Sequence, residues 1–254
     1  MTTTRPPKLV ILCGGRGSRL QPLSANLPKP LVPLNGKPIL QHILEFYLGK
    51  HFRAFVLCAG FRAEAIRTFI ASQRFPADIE IADAGEEASM LRRLYEVRHQ
   101  WGERAMVTYG DTFIDFDPMH MLAEHVRRRV AATITVADIQ SPFGIVQVDV
   151  DHRVRAFDEK PVFPYYIGHL VMERSVLEEL DETLLSLPDG EGLVQLFQRL
   201  IACGQLGAYH HRGLQITFNT LMERESAEQA LIKFFTEREE NDVLHGSTDP
   251  RHRR

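Results

Sequence analysis

Apolar and polar positions along this chain fall into blocks whose period switches repeatedly between that of a strand and that of a helix. The run KLVILC at 8–13 is apolar almost throughout and has the length of a buried strand. Residues 39–50 then place apolar side chains at Leu40, Ile43, Leu44, Tyr47 and Leu48, the spacing of one helical face. The alternation predicts strands over 52–59, 79–83 and 105–109, and helices over 62–72 and 88–100. A further helix is predicted over 118–129, capped by Asp117 with Pro118 at its first position. Regular alternation of this kind predicts an α/β fold with a mostly parallel sheet and helices on both faces. The pattern loosens after residue 130. Strand-like runs occupy 131–136, 143–150, 154–159, 165–172 and 205–209, helices are expected over 191–203 and 226–238, and a polar tail follows from 239 to 254.

With 254 residues the chain suits one large α/β domain or two small ones and can bury a sizeable core; with no clear linker, one domain is the simplest organisation. Its net charge of −3 gives no electrostatic case for a nucleic-acid partner. The short runs Arg127–Arg129 and Arg251–Arg254 read as a solvated helix face and a tail. The opening MTTTRPPK has no apolar signal core and no stretch is long enough to span a bilayer, so the expectation is a cytoplasmic protein with no membrane partner. The three cysteines, Cys13, Cys58 and Cys203, are far apart and odd in number, and two lie in apolar runs, which favours reduced thiols over a disulfide or metal site.

Chemistry concentrates in the segment from Leu12 to Pro38, LCGGRGSRLQPLSANLPKPLVPLNGKP. Gly14, Gly15 and Gly17 let the backbone turn tightly after a strand, and successive N–H groups in such a turn make an anion-binding concavity. Arg16 and Arg19 add two permanent cations, and an arginine can fork onto phosphate oxygens. Lys29 lies between Pro28 and Pro30, which stiffen its backbone. The segment lacks both GxxxxGK[ST] and GxGxxG, the two common phosphate loops. Asp111, in Thr108-Tyr109-Gly110-Asp111-Thr112, also follows a predicted strand. In parallel sheets ligands bind beyond the carboxyl ends of the strands, so the glycine loop and Asp111 are expected at one edge.

The combined string GGxGSRLxPL followed by PKPLVPLxGKP strongly resembles the signature of the sugar-1-phosphate nucleotidyltransferases. That resemblance implies a Rossmann-like nucleotide-diphospho-sugar transferase fold. It would hold a nucleotide-binding half at 1–111, a smaller sugar-side β lobe within 112–238 and the tail. It implies a nucleoside triphosphate and a sugar 1-phosphate as partners, Mg²⁺ as cofactor, and a chain compatible with a homo-oligomer. Leu12, Gly14, Gly15, Gly17, Ser18, Arg19 and Gly110 would line the nucleotide. Arg19, Lys29, Asp111 and Lys160 would carry the chemistry, with Asp111 on the metal. Phe157-Asp158-Glu159-Lys160-Pro161 resembles the family's F-x-E-K-P motif, in which the glutamate binds sugar hydroxyls and the lysine the sugar phosphate. Gly144 and Gly168 match glycines close to the sugar.

Ala82-Asp83-Ala84-Gly85 resembles the segment that reads the base, and with Tyr109-Gly110-Asp111 it is similar to the glucose-1-phosphate cytidylyltransferase branch. This places Asp83 and Gly85 on the nucleotide and favours CTP. Asn219 stands where the family places a second metal-binding aspartate; it keeps a carbonyl oxygen and no charge. Two further classes therefore stay open. One is a relative that binds nucleotide or nucleotide-sugar without turnover. The other is a glycosyltransferase, for which the D-x-D pattern is missing at Asp111-Thr112-Phe113.

Overall fold

The structure is a computed structural model that describes residues 6–17 and 27–245, those from 235 onward as backbone only. In chain order its elements are β1 (Leu9–Leu12), a 3-10 turn (Lys29–Leu31), β2 (Pro33–Leu34), β3 (Lys37–Pro38), α1 (Ile39–Gly49), β4 (Ala54–Ala59), α2 (Ala63–Ser72) and β5 (Asp78–Asp83). Next come α3 (Met90–Val97), β6 (Arg104–Tyr109), β7 (Phe113–Ile114), α4 (Pro118–Arg128), β8 (Ala132–Gln140), β9 (Ile145–Val148), β10 (Val154–Asp158) and β11 (Val162–Glu173). The chain continues through α5 (Ser175–Glu178), α6 (Glu182–Leu185), α7 (Glu191–Ala202), β12 (Leu206–His210), β13 (Gln215–Ile216) and α8 (Leu221–His245).

Seven strands form a mostly parallel sheet in the order β12-β8-β11-β6-β1-β4-β5. β4 and β5 pair in parallel from Ala54↔Asp78 to Ala59↔Asp83, and β8 and β12 also pair in parallel. β11 runs antiparallel to both β6 and β8. The expected α/β architecture is therefore present. Two compact units divide the chain. One gathers the residues up to Val10, Ser89–Tyr109 and Phe116–Gly213; the other gathers Ile11–Ala88, Gly110–Asp115 and the chain from Leu214.

In the second of these units, α1 lays Ile39, Leu40, Ile43, Leu44 and Tyr47 into a core shared with Phe52 and Phe55. Phe113 of β7 meets Phe46 and Phe234 edge to face, and β13 pairs with β7 through Gln215↔Ile114 and Ile216↔Phe113. This short pairing draws the start of α8 to the segment that carries Asp111.

In the other unit, α4 begins as the sequence predicts, with the Asp117 carboxylate accepting from the Met119 and His120 amides. The Ser89 hydroxyl caps α3 by accepting from the Arg92 amide. β8 and β11 are longer than the hydrophobic pattern predicts. Pro164 interrupts the run, yet it falls within the β8–β11 ladder opposite Asp138. β9 and β10 form a separate antiparallel pair whose Val146, Val148, Val154 and Phe157 are exposed. α8 continues to His245, past the predicted end at 238, because its polar sequence is rich in good helix formers. Among the described residues no helix is long and apolar enough to cross a membrane.

Two buried histidines tie stability to pH. His125 bonds Thr133 Oγ1 at 2.9 Å and Glu173 Oε1 at 3.0 Å, while Arg104 holds the same carboxylate oxygen at 2.8 Å. His42 is bonded to the Leu34 carbonyl at 3.0 Å. Burial lowers both imidazole pKa values below 6.5, outweighing the Glu173 hydrogen bond at His125 and the Leu34 carbonyl at His42. A histidine with a depressed folded-state pKa contributes fully above its unfolded value and loses that contribution as pH falls below about 6.5 toward the folded value. The melting temperature should therefore drop between pH 7 and pH 5, and His125→Gln should flatten part of that slope. A slope unchanged in the variant would show that His125 is not a titrating group in this range.

Candidate functional site

The glycine turn leaves β1 with Cys13 donating its backbone N–H to the Cys58 carbonyl at 2.9 Å and Gly14 accepting from the Phe61 amide at 3.0 Å. Gly17 has φ +59°, and a Cβ there would lie 3.0 Å from the Cβ of Lys29. The missing side chain thus lets the loop rest on the lysine stem. Ser18 and Arg19 lie outside the described residues. Gly110 is pressed against the same strand end. Its N–H donates to the Leu12 carbonyl at 2.9 Å, and an added Cβ would meet that oxygen at 3.1 Å and Pro30 at 3.2 Å.

Lys29 is the centre of the described geometry. The flanking prolines fit its 3-10 turn, and the residue is only 7% exposed. Its Nζ donates to Asp111 Oδ2 at 2.6 Å and to Asn219 Oδ1 at 3.3 Å, and lies 5.5 Å from the centre of the Phe218 ring. A buried ammonium needs such partners, because desolvation without them would be costly. The structure therefore brings Lys29, Asp111 and Asn219 together, although Asn219 is 190 residues from Lys29. The Asn219 backbone N–H donates to Glu223 Oε2 at 2.5 Å, while the Glu223 backbone N–H donates to Thr220 Oγ1 at 3.2 Å. That reciprocal arrangement at the start of α8 fixes the backbone that presents Asn219.

Asp111 and Asn219 offer only oxygen to the cation between them, which is the donor chemistry a hard ion such as Mg²⁺ accepts. Among the described residues no group of three or more His, Cys, Asp or Glu side chains could hold a metal. A divalent ion here would take one protein carboxylate, one amide oxygen and, for the rest, phosphate or water oxygens. The residues fit that limited role.

The Ala82-Asp83-Ala84-Gly85 segment lies at the end of β5. Asp83 Oδ1 accepts from the Gly85 amide at 2.9 Å in a closed turn, with Gly85 at φ +88°. Arg16 points from the glycine loop to the residues just beyond this turn and is ion-paired with Glu86 at 3.1 Å and with Glu87.

The other unit carries the remaining predicted residues. A Cβ at Gly144 would fall 2.6 Å from the Phe157 ring and 3.1 Å from Glu159 Oε2, so Gly144 and Glu159 are neighbours. Lys160 has φ +47° directly before Pro161, a left-handed backbone that costs about 1–3 kcal/mol. Gly168, at φ +77°, lies against Tyr109, whose ring a Cβ would approach to 2.8 Å. Tyr109 meets Tyr166 edge to face, and burial pushes the Tyr166 phenol well above its ordinary pKa.

Residue-by-residue reading missed Phe218, Glu86 and Glu87. It also missed the capping use of Glu223, although the Thr220-x-x-Glu223 spacing is a recognisable sign of a helix start.

Comparison with known proteins matches residues 8–191 to the nucleotidyl transferase family. The glucose-1-phosphate cytidylyltransferase of Salmonella typhi is 28% identical over 244 residues, covering 85% of this chain and 93% of that protein. A Bacillus subtilis protein named "Probable glucose-1-phosphate cytidylyltransferase" is 27% identical over 237 residues, covering 84% of this chain and 91% of that protein. Among solved structures, HddC from Yersinia pseudotuberculosis, complexed with GMP-PN, superposes with a TM-score of 0.68 at 17% identity, over 89% of this chain and 99% of that one. The last likeness bears on fold alone. The glycine loop, the buried Lys29 and the matched span place this chain in the nucleotidyl transferase family.

Proposed function

We propose that this chain is a sugar-1-phosphate nucleotidyltransferase, with CTP as the favoured triphosphate. The observation that carries the reading is the Lys29 ammonium held by Asp111 and Asn219 beside the glycine turn. An oxygen of the sugar phosphate attacks the α-phosphorus of the nucleoside triphosphate in line. The new O–P bond forms as the bond to the β-phosphate oxygen breaks, and pyrophosphate leaves with the electron pair. The attacking oxygen is already anionic, so no general base is needed, and catalysis rests on positioning and on neutralising charge.

Loop amides from Gly14 to Gly17, together with Arg19, bind the phosphates that leave. Lys29 supplies an ammonium where negative charge gathers on the α-phosphate, and Asp111 keeps that ammonium aimed. Lys160 orients the attacking phosphate, and Glu159 accepts from sugar hydroxyls. Mg²⁺, when bound, supplies further neutralisation of phosphate oxygens, with Asp111 and the Asn219 carbonyl as its protein donors. The preference for CTP rests on the Asp83–Gly85 segment and on the cytidylyltransferase names of two relatives. Release of pyrophosphate across a matrix of triphosphates and sugar 1-phosphates tests the reading, and silence in every cell would overturn it.

A second reading, a nucleotide-sugar binder without turnover, is favoured by one observation: the amide of Asn219 where a second carboxylate would add charge. Asn219→Asp separates the two. A second carboxylate beside Asp111 should tighten Mg²⁺ binding by about tenfold in calorimetry, since a full charge is added at contact range. An enzyme should already release pyrophosphate before the change; a binder should do so only after it. Unchanged Mg²⁺ affinity would show that position 219 does not face the ion.

A further inference from the structure

Three neighbouring strands of the sheet, β1, β4 and β5, end in the loops that hold the glycine turn, Phe61 and the Asp83–Gly85 turn. One side chain reaches from the first of these loops to the other two. The Arg16 guanidinium sits 5.7 Å from the centre of the Phe61 ring, while the Phe61 amide is bonded to the Gly14 carbonyl at 3.0 Å. Its Nη2 pairs with Glu86 at 3.1 Å and with Glu87, the two residues that follow Gly85. The Asp83–Gly85 turn is itself closed, so a hold on Glu86 and Glu87 is a hold on the whole turn.

We infer that Arg16, Glu86 and Glu87 form a clasp that sets the spacing between the phosphate loop and the base-side turn, with Arg16 acting as a positioning residue for the nucleotide. The inference rests on the proposed nucleotide site. Its chemistry follows from the pairs. Arg16 is about half exposed, as is Glu86, and Glu87 is more so. Exposed pairs add little to global stability, so this network is not there to hold the fold together. What a planar guanidinium with several donors does well is fix two carboxylates and an aromatic ring at one distance. A nucleotide that touches both loops then meets a preset gap and spends less binding energy ordering them. A direct phosphate contact by Arg16 makes the opposite demand, because the two carboxylates would then compete with the triphosphate for it.

Calorimetric titration of CTP and UTP into the full chain, at low and high salt, decides the matter. The parent, Arg16→Ala, and the double change Glu86→Gln with Glu87→Gln are compared, together with all three changes combined. Arg16→Ala and the Glu86/Glu87 variant should each weaken CTP binding by roughly three- to tenfold and narrow the gap between CTP and UTP. The combined variant should be no worse than either, as groups acting through one another are non-additive. The parent's affinity should fall with salt toward that of the variants.

Tighter binding in the Glu86/Glu87 variant, with weaker binding in Arg16→Ala, would overturn the clasp and make Arg16 a direct phosphate ligand. Variants that match the parent in affinity and base preference would overturn it too. A parent that binds no triphosphate at all would instead defeat the proposed function on which the clasp depends. Thermal melting of each variant should stay at the parent value; a shared large drop would assign the network to stability and remove its positioning role.

Discussion

Lys29→Ala should lower turnover by roughly two to three orders of magnitude while the chain still folds, the loss expected when one preorganised charge is taken from a phosphoryl-type transition state. The ammonium is nearly fully buried and its position is over-determined by two prolines, a carboxylate, an amide oxygen and an aromatic ring. Little reorganisation is then left to make during reaction. Lys29→Arg should not rescue, because the wider guanidinium has to fit where Asp111, Asn219 and the Phe218 ring already enclose a compact ammonium. Pyrophosphate release under saturating substrates, alongside a melting curve, makes the measurement. Turnover near the parent's in Lys29→Ala would remove this residue from the reaction, whatever its contacts.

Gly168→Ala should be among the most destabilising single-methyl changes in the protein, at about 2–4 kcal/mol. Two costs add. The backbone has φ +77°, which L side chains rarely adopt, and the new Cβ would stand 2.8–2.9 Å from Tyr109 ring atoms. That ring has little freedom to retreat, since Tyr166 packs on it edge to face at 5.9 Å and Phe197 packs on Tyr166 at 5.6 Å. The melting temperature should fall by roughly 5–10 °C. Gly204→Ala provides the control, with φ +66° and nothing within 4 Å of an added Cβ, so it carries the backbone cost alone. Equal melting of the two variants would show that the tyrosine yields.

Much of this was legible in sequence, for identifiable reasons. β1, β4 and β6 are buried, bounded apolar runs, and α1 shows a one-sided apolar face. Gly14, Gly15, Gly17, Lys29 and Asp111 stand out in sequence as a glycine turn and fixed charges after strands, and the structure sets Gly17 on the Lys29 stem and Asp111 on its ammonium. The start of α4 is announced by Asp117-Pro118 and appears as announced. β7 and β13 were not legible, because two residues carry no period and their pairing is a tertiary event. The extent of β11 was hidden by Pro164, and that of α8 by a polar sequence that resembles a tail until its helix propensity is counted. In sequence Arg16 is simply a cation beside an anion-binding turn. Its carboxylate partners lie some seventy residues away, 71 to Glu87, and no local pattern joins them.

The chain crosses between its two compact units five times, at 10/11, 88/89, 109/110, 115/116 and 213/214. On a ribosome this has a temporal meaning. The core around Phe113 awaits β13 and α8, which emerge only after residue 214, and Lys29 meets Asn219 only then. Nascent chains therefore pass through a long interval in which most of the sequence exists but this cluster does not. Contacts of such sequence separation slow folding and leave hydrophobic surface open to chaperones. Prematurely terminated products that stop before β13 carry the glycine loop and every residue of the F-x-E-K-P motif, yet they lack the strand that brings the last member of the cluster home.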